Sequence, residues 1–493
     1  MKLKYFGMFL ALGLLASCAN DKMEGPAQPG ADNGAMSGSF LSFNLNPVSR
    51  TATGDQKEDP EEVKPGESDI KSIHVALVDP TSNDVLVSKT ITTGISGTKA
   101  TFELDEDDFK ALVKYEGTQV KVYIVCNPNR TTITGTNFNP AEKTVDYLTD
   151  DNSLWSATNG FQMSNADANL LCTIDPVGIK NGKYTKENPH SLGTITVQRT
   201  MARLDLGNAQ PNSTVSDVKL TFDGVALVNL SKSFYLFKQV GIDPNYVLWA
   251  DETDKNWVKD PKTAWNKNTL HYAVEDKIAT DARDFKKWFE GDAMATWRYV
   301  TPNTVMDVND QMNGRSTGII FRAEMTKEDG SALTAGDELI SYYDVVWGSL
   351  ADLQAIVANP SGAQQVQIAD IYKAAIGNET DNAKILDALK AAKFDVFPKK
   401  DGKFYCYYYY WVRHNAPAGT FNNGKMHEME FGVVRNNIYK ITVKDVANLG
   451  YPGDFVPDPN TPDDPEKPEI KNTALTVNVQ VKDWEVREDN IEF

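Results

Sequence analysis

The sequence predicts a mostly β protein, and three observations predict it. Runs of Val, Ile, Thr, Phe and Tyr of strand length recur along the chain, bounded by Gly, Pro, Asn and Asp. Several alternate apolar with polar residues, the period-two pattern of a half-buried strand. Residues 350–393 stand apart: their composition and spacing are helical (Ile368, Ile371, Ala375, then Ile385, Leu386, Leu389), so they read as an insertion in a β domain.

In chain order, the first strand lies within Ser39–Leu45, where Leu41, Phe43 and Leu45 alternate with polar residues. It runs into Pro47 and stops at Arg50, the first arginine of the chain. Thr51–Asp69 is charged, contains Pro60 and Pro65, and reads as an exposed loop open to proteases. Ile73–Val78, Asp84–Thr92 and Thr101–Leu104 read as strands, followed by a short helix through Tyr115 that the acidic run Asp105–Asp108 favours at its N-terminus. Gln119–Val125 and Thr194–Arg199 continue the β pattern, the latter leading toward Ala202–Leu206, where a first domain is expected to end. Val218–Leu230 and Thr317–Met325 belong to a second. Lys403–Val412, with four successive tyrosines, and Arg435–Val446 read as its closing hairpin.

Gly450–Pro468 is dense in proline and aspartate, which removes ladder donors and favours extended backbone, so it reads as a semi-stiff linker. Beyond it Leu475, Val477, Val479 and Val481 alternate cleanly. The apolar parity then slips by one residue to Trp484 and Val486, which predicts a bulge or a break between two short strands.

The chain has 493 residues, with 50 basic and 68 acidic side chains and a net charge of −18. Such a surface repels nucleic acid, whose binding needs Lys and Arg on phosphates. At ~150 residues per domain the length suits two or three domains. Lys2 and Lys4 precede the apolar run Phe6–Leu15, which is too short to remain as a membrane span, and Leu15-Ala16-Ser17-Cys18 has the form of a lipobox. The expectation is a signal peptide over residues 1–17 and lipidation of Cys18, each acyl methylene contributing ~0.8 kcal/mol in a bilayer. Residues 19–38 read as a flexible tether. Cys126, Cys172 and Cys406 each follow apolar or aromatic neighbours and read as small buried hydrophobes.

Catalytic patterns fail on context. Gly314-Arg315-Ser316-Thr317-Gly318 matches G-x-S-x-G, but a polar loop precedes it and a β segment follows, where that chemistry needs a strand and then a helix. His427-Glu428-Met429-Glu430-Phe431 lacks the second histidine of a zinc helix. Asp307-Val308-Asn309 leads to Met312 where a calcium loop turns on glycine. No catalytic residue, metal or cofactor is assigned. Tyr407–Trp411 reads either as a stacking platform for carbohydrate or as a strand with two buried faces.

The two ends carry the strongest signal. An alternating strand tied on by a Pro/Asp linker can complete another subunit's sheet, main-chain bonds giving affinity and alternate side chains filling pockets. Burying Leu475, Val477, Val479 and Val481 would contribute ~1.5–3 kcal/mol each. The strand Phe40–Leu45, followed by Arg50, is the matching removable plug: a cut between Arg50 and Thr51 would free it. In the uncut chain the plug is expected in its groove, with residues 450–493 projecting or packed loosely.

At this point the chain resembles the Bacteroidales fimbrillins, in particular the minor-fimbrium type of shaft subunit. The resemblance rests on the lipobox with the later Arg50, on Val120–Val125, Phe161-Gln162-Met163-Ser164-Asn165 and Val197–Arg203, and on Thr301–Thr304. Its most specific stretch is Val433-Val434-Arg435-Asn436-Asn437-Ile438-Tyr439-Lys440-Ile441, followed by the linker and the C-terminal strands with Trp484. The resemblance implies two transthyretin-like β-sandwich domains in tandem, over residues 51–205 and 206–449, after a tether and removable strand at 18–50. It implies a linker at 450–472 and a donor-strand region at 473–493. It further implies an outer-membrane lipoprotein precursor, cut at the cell surface by an arginine-specific protease. Head-to-tail assembly with itself and with accessory fimbrial subunits into an adhesive fimbria would follow, with no enzymatic activity. The other expectation is an anchored monomeric adhesin that binds glycans through its Trp and Tyr residues.

Overall fold

In a computed structural model of the protein, the described residues are 38–47, 64, 66–128, 131–146, 155–156, 160–207, 213–215, 217–241, 257–258, 270–271, 277–278, 287–290, 297–304, 315–333, 336–414, 431–453 and 475–483. The fold is mostly β. The first half supplies β1 (Phe40–Pro47), β2 (Ile73–Val78), β3 (Val85–Ile91), β4 (Lys99–Glu103), α1 (Glu106–Lys114), β5 (Gln119–Cys126), β6 (Met163–Asn165), α2 (Pro176–Lys180) and β7 (His190–Arg199). Their sheet runs β3-β2-β5-β6-β7-β1-β4, so the first strand in sequence is an interior strand of the sheet. Asp105 caps α1 by accepting from the Asp107 and Asp108 amides, as the acidic run predicted. Leu112 and Ile179, from the two helices, close one face over a core that includes Leu41, Phe43, Val75 and Ile195.

The other face of this sheet is also covered. Ala76, Val78, Tyr123 and Val125 share a core with Leu204, Phe222 and Tyr439 of the second half. The Tyr123 ring meets Phe138 at 4.9 Å and Phe237 at 5.1 Å, both edge-on. β2 over Ile73–Val78 and β5 over Val122–Cys126 are therefore covered on both faces.

The second half supplies β8 (Ala202–Leu206), β9 (Val218–Val228), β10 (Trp297–Val300), β11 (Gly318–Lys327), β12 (Glu338–Tyr342), β13 (Val345–Gly348), α3 (Leu350–Ala358), α4 (Gly362–Ile376), α5 (Asn382–Ala391), β14 (Asp395–Lys400), β15 (Lys403–Trp411), β16 (Asn437–Val446) and β17 (Leu475–Asp483). One sheet contains β9-β11-β15-β14-β12-β13, and a smaller one runs β10-β8-β16-β17. Gly318 opens β11 because a Cβ there would lie 2.5 Å from the Trp411 ring. The helical insertion is present and has its own core, with Leu353, Ile368, Tyr372, Ile385 and Leu389 buried together. Its second part splits at Gly377, where φ is +57°, and restarts at Asp381, whose side chain accepts from the Lys384 amide.

The expected closing hairpin of residues 403–412 with 435–446 is corrected. β15 pairs with β11, whereas β16 pairs with β8 in the other sheet. The cause lies in the turn before β16. Asn436, at φ +61°, donates its amide to the Met201 carbonyl at 2.7 Å and accepts from the Arg199 amide at 3.2 Å. Arg435 donates to the carbonyls of Leu236 at 3.2 Å and Thr200 at 3.4 Å. These bonds draw β16 onto β8 and away from β15.

The chain passes from the first sheet to the smaller one at Thr200–Met201, beside a buried ionic group. Glu67 and Arg203 have fully buried side chains, and the guanidinium donates to both carboxylate oxygens at 2.9 and 2.8 Å. Arg203 also grips Asp205 at 2.7 and 2.8 Å. Arg199 donates to the Glu67 carbonyl at 3.0 Å, and burial pushes its guanidinium down to about 10. The Tyr299 hydroxyl donates to Glu67 at 2.9 Å, and burial, aided by that carboxylate, holds its phenol well above the usual range. Breaking one member of such a set leaves buried charge without its counterion. Glu67→Ala is expected to lower the unfolding free energy by about 3–5 kcal/mol in denaturant titration. A loss of less than about 1 kcal/mol, the level of an exposed pair, would show that this carboxylate does not hold the junction.

Candidate functional site

The residues singled out at the N-terminus come together around β1. Leu41, Phe43 and Leu45 are all buried, and Asn44 between them is exposed, so the sequence alternation is realised as an inward and an outward face. The Phe43 ring meets Phe102 of β4 edge-on at 6.3 Å. β1 runs parallel to β7, with Leu41 beside His190 and Leu45 beside Ile195. It runs antiparallel to β4, with Leu41 beside Phe102 and Asn44 beside Lys99. Removing β1 would uncover apolar side chains and break hydrogen-bonded ladders on both flanks.

The two ends of β1 are held differently. At its start the Phe40 amide donates to the Tyr184 carbonyl at 3.1 Å, the Ser39 hydroxyl to the Ile179 carbonyl at 3.3 Å, and the Leu104 amide to the Ser39 carbonyl at 2.9 Å. That corner is braced by Asp175, which caps α2 through the Gly178 amide and accepts from the Tyr184 hydroxyl at 2.6 Å. The Tyr184 bond, the Gly178 amide and Lys183 hold the Asp175 carboxyl down at about 2. At the far end the Leu45 amide donates to the Thr98 carbonyl at 2.8 Å, and the strand stops at Pro47. Arg50 and Thr51 lie just beyond, outside the described residues. The described residue Glu67, farther along the chain, is held at the junction.

The C-terminal strand is where the expectation needs correction. Residues 475–483 do not project: β17 pairs antiparallel along β16, from Leu475 beside Val446 to Asp483 beside Asn437. Val477, Val479 and Val481 stand beside Val443, Ile441 and Tyr439 in that register. The physical reason is the edge of β16, whose unpaired backbone groups are satisfied by a strand supplied from the same chain. β17 is nevertheless the terminal strand of its sheet, and it is not in the place of β1. Trp484 and Val486 lie outside the described residues, and β17 runs without a break as far as Asp483. Cys18 also lies outside the described residues.

The start of the expected linker is also docked. Tyr407 and Tyr451 exchange two backbone bonds of 2.9 and 2.8 Å. The Tyr408 and Tyr409 hydroxyls donate to the carbonyls of Asn448 at 3.0 Å and Gly453 at 2.9 Å. All four tyrosines and Trp411 are buried, so the run is an interior strand with two covered faces rather than a platform for sugar. Cys126, Cys172 and Cys406 are buried free thiols, and burial pushes each upward. Ser316 is buried in a turn directly before β11, so the G-x-S-x-G match has no nucleophile geometry. Among the described residues no cluster of His, Cys, Asp and Glu is arranged to hold a metal.

Several structural residues escaped the sequence reading. Asn165 substitutes for backbone, accepting from the Ile124 amide at 2.5 Å and donating to the Val122 carbonyl at 2.7 Å. Asn127, at φ +48°, donates to the carbonyls of Asp69 and Phe161, both at 2.7 Å. Each sits in or beside a stretch that carried the resemblance, but its partners are distant in sequence.

Comparison with known proteins bears on this geometry. Residues 39–222, which begin at β1, match the family profile of the major fimbrial subunit protein FimA. Residues 402–490, which include β15, β16 and β17, match the C-terminal profile of fimbrillin, the type IV major fimbrial subunit protein. No curated protein sequence matches. Among solved structures, a fimbrilin from Porphyromonas gingivalis is 15% identical, with 92% of this chain and 99% of that one covered and a TM-score of 0.45. A candidate cell-adhesion protein from Parabacteroides distasonis is 14% identical, over 91% and 97% of the two chains, with a TM-score of 0.45. A tip fimbrial protein from Porphyromonas gingivalis is 12% identical, over 91% and 100%, with a TM-score of 0.35. These likenesses are distant, and the family assignment does not rest on them. The two profiles together cover more than half of the sequence, and on them the chain belongs to the fimbrillin family of fimbrial subunit proteins.

Proposed function

We propose that the chain is a shaft subunit, of the minor-fimbrium type, of a cell-surface fimbria, assembled by exchange of β1 for the C-terminal strand of a neighbouring subunit. Membership of a fimbrial-subunit family supports the coarse role, a pilus subunit on the cell surface. The observation that carries the finer reading is the interior position of β1, with Arg50 just past its end. Because β1 is bonded on both sides, its removal would leave a place that another strand can take.

The steps follow from elementary energetics. Lipidation at Cys18 would hold the exported precursor on the outer membrane, through acyl chains that bury in the bilayer. While residues 48–63 tether β1, its docking is intramolecular and persists. Cutting between Arg50 and Thr51 by an arginine-specific protease ends the tether, so β1 becomes a separate ligand and loses its effective concentration. The vacated place then presents apolar pockets and two unpaired edges, which an alternating strand can fill. β17 has that alternation and sits at a sheet edge, from which only one ladder must break. A chain with both plug and donor suits the shaft, where each subunit receives one strand and gives one, with accessory subunits at the ends. The domain division at about residue 205, in two transthyretin-like sandwiches, is part of the same proposal. A glycan-binding anchored monomer has no specific observation in its favour, since its tyrosine platform is buried.

Purified precursor treated with an arginine-specific protease is expected to give a ladder on unheated denaturing gels. Arg50→Ala and deletion of residues 475–493 should each abolish it. A single clipped monomer band from the parent protein and the deletion alike would sink the reading. A second test uses the neighbours Thr442 and Asn478. A disulfide joining them in Thr442→Cys/Asn478→Cys would lock β17 on its own sheet. The ladder should be absent when oxidised and return on reduction; equal ladders in both states would show that β17 need not leave.

A further inference from the structure

We infer that the incoming strand docks in one register and one direction, with Leu475 in the place of Leu41, Val477 in that of Phe43 and Val479 in that of Leu45. This rests on the exchange reading above and goes beyond it, because alternation alone allows several registers and both directions. Ser39-Phe40-Leu41-Ser42-Phe43-Asn44-Leu45-Asn46 and Thr473-Ala474-Leu475-Thr476-Val477-Asn478-Val479-Gln480 are in step. Hydroxyl falls on hydroxyl twice, leucine on leucine, asparagine on asparagine, and amide on amide at the last position.

The groove supplies the reason this step matters. Ser42 lies on the face opposite Leu41 and Phe43, yet it is only 5% exposed, so its position takes a small side chain. In the inferred register Thr476 goes there. Sliding the donor by two residues, so that Val477 takes the Leu41 place, would bring the longer amide of Asn478 to it. Reversing the donor about Asn478 keeps the apolar alternation but brings Gln480, longer still. Ser39 is 2% exposed and donates to Ile179, so this end of the groove is closed and polar; the two-residue slide would push Leu475 into it.

The wall on the β7 side fixes the same point. Between Ser191 and Thr194 that strand carries an extra residue opposite Phe43, and Gly193 there has a φ of +86°. A bulge of this kind pins register, because the ladder is interrupted at one defined position. The donor residue facing the interruption is Val477. Since it is smaller than Phe43, the exchanged state leaves room beside Phe102 that the plug fills.

Inter-subunit disulfides read the register directly. Ser42 stands beside Thr101 of β4 in an antiparallel pair, and directly opposed residues are within disulfide reach whereas diagonal ones are not. Three variants of the full chain carry Thr101→Cys with Thr476→Cys, Asn478→Cys or Gln480→Cys. Each is cleaved, assembled, oxidised and run both unheated and boiled without reductant. The inference expects a boiling-resistant, reductant-sensitive ladder with Thr476→Cys and its loss with the other two. A covalent ladder with Asn478→Cys would overturn it in favour of the slide, and one with Gln480→Cys in favour of reversal. If Thr101→Cys impairs folding, the exposed pair Lys99→Cys with Asn478→Cys or Gln480→Cys separates the inferred register from the slide. Should the unheated ladder survive deletion of residues 475–493, exchange itself fails. An unheated ladder that needs those residues, with the wrong cross-link, condemns the register alone.

Discussion

A strand in the middle of a sheet has hydrogen-bonding groups on both sides, and the rest of this structure depends on how those of β7 and β4 are met. β1 meets them in the described fold, as a strand parallel to one neighbour and antiparallel to the other. Its backbone bonds and the buried Leu41, Phe43 and Leu45 form a joint that a nearby segment of the same chain can hold indefinitely. Downstream, β1 is joined to the next described residues through residues 48–63. Neither neighbour can be left bare, because exposed edges beside apolar pockets recruit any compatible strand. Under the exchange proposed above, that requirement would make β1 both a stable lock and a replaceable one.

The elements on either side of that connection are each held in place. Upstream, Asp175 and Tyr184 close the corner where β1 begins. Downstream, Glu67 is buried against Arg203 and Tyr299, and its carbonyl receives Arg199. The same arginines lie where the chain leaves the first sheet, and the turn at Arg435–Asn436 binds that crossing from the other side. Loss of β1 would therefore open one interior position while the junction of the two halves stays tied. The C-terminal segment is moored by the same economy, through Tyr407, Tyr408 and Tyr409 as far as Gly453.

Much of this was legible in the sequence where the signal is local. Leu41, Phe43 and Leu45 alternate and lie in β1, and Leu475–Val481 alternate after a proline-rich stretch and lie in β17, so both strands could be named from residue order. The helical insertion was legible from its spacing, but its division at Gly377 was not. What was not legible depends on pairs far apart. Glu67 is one of many acidic residues, and its partners Arg203 and Tyr299 lie more than a hundred positions away. The tyrosine run gave no alternation because both of its faces are covered, and covered faces look alike whether the cover is protein or sugar. The resting place of β17 on β16 was missed because an edge cannot be seen until the sheet order is known.

The central claim is that β1 is an exchangeable interior strand, and backbone hydrogen exchange of its neighbours tests it most directly. Amides of residues 99–103 and 194–197 should be protected in the precursor, lose protection when cleavage after Arg50 releases β1, and regain it in the assembled fibre. Protection that stays unchanged through cleavage and assembly would contradict the account, because the two flanking strands would never have lost or changed their partner.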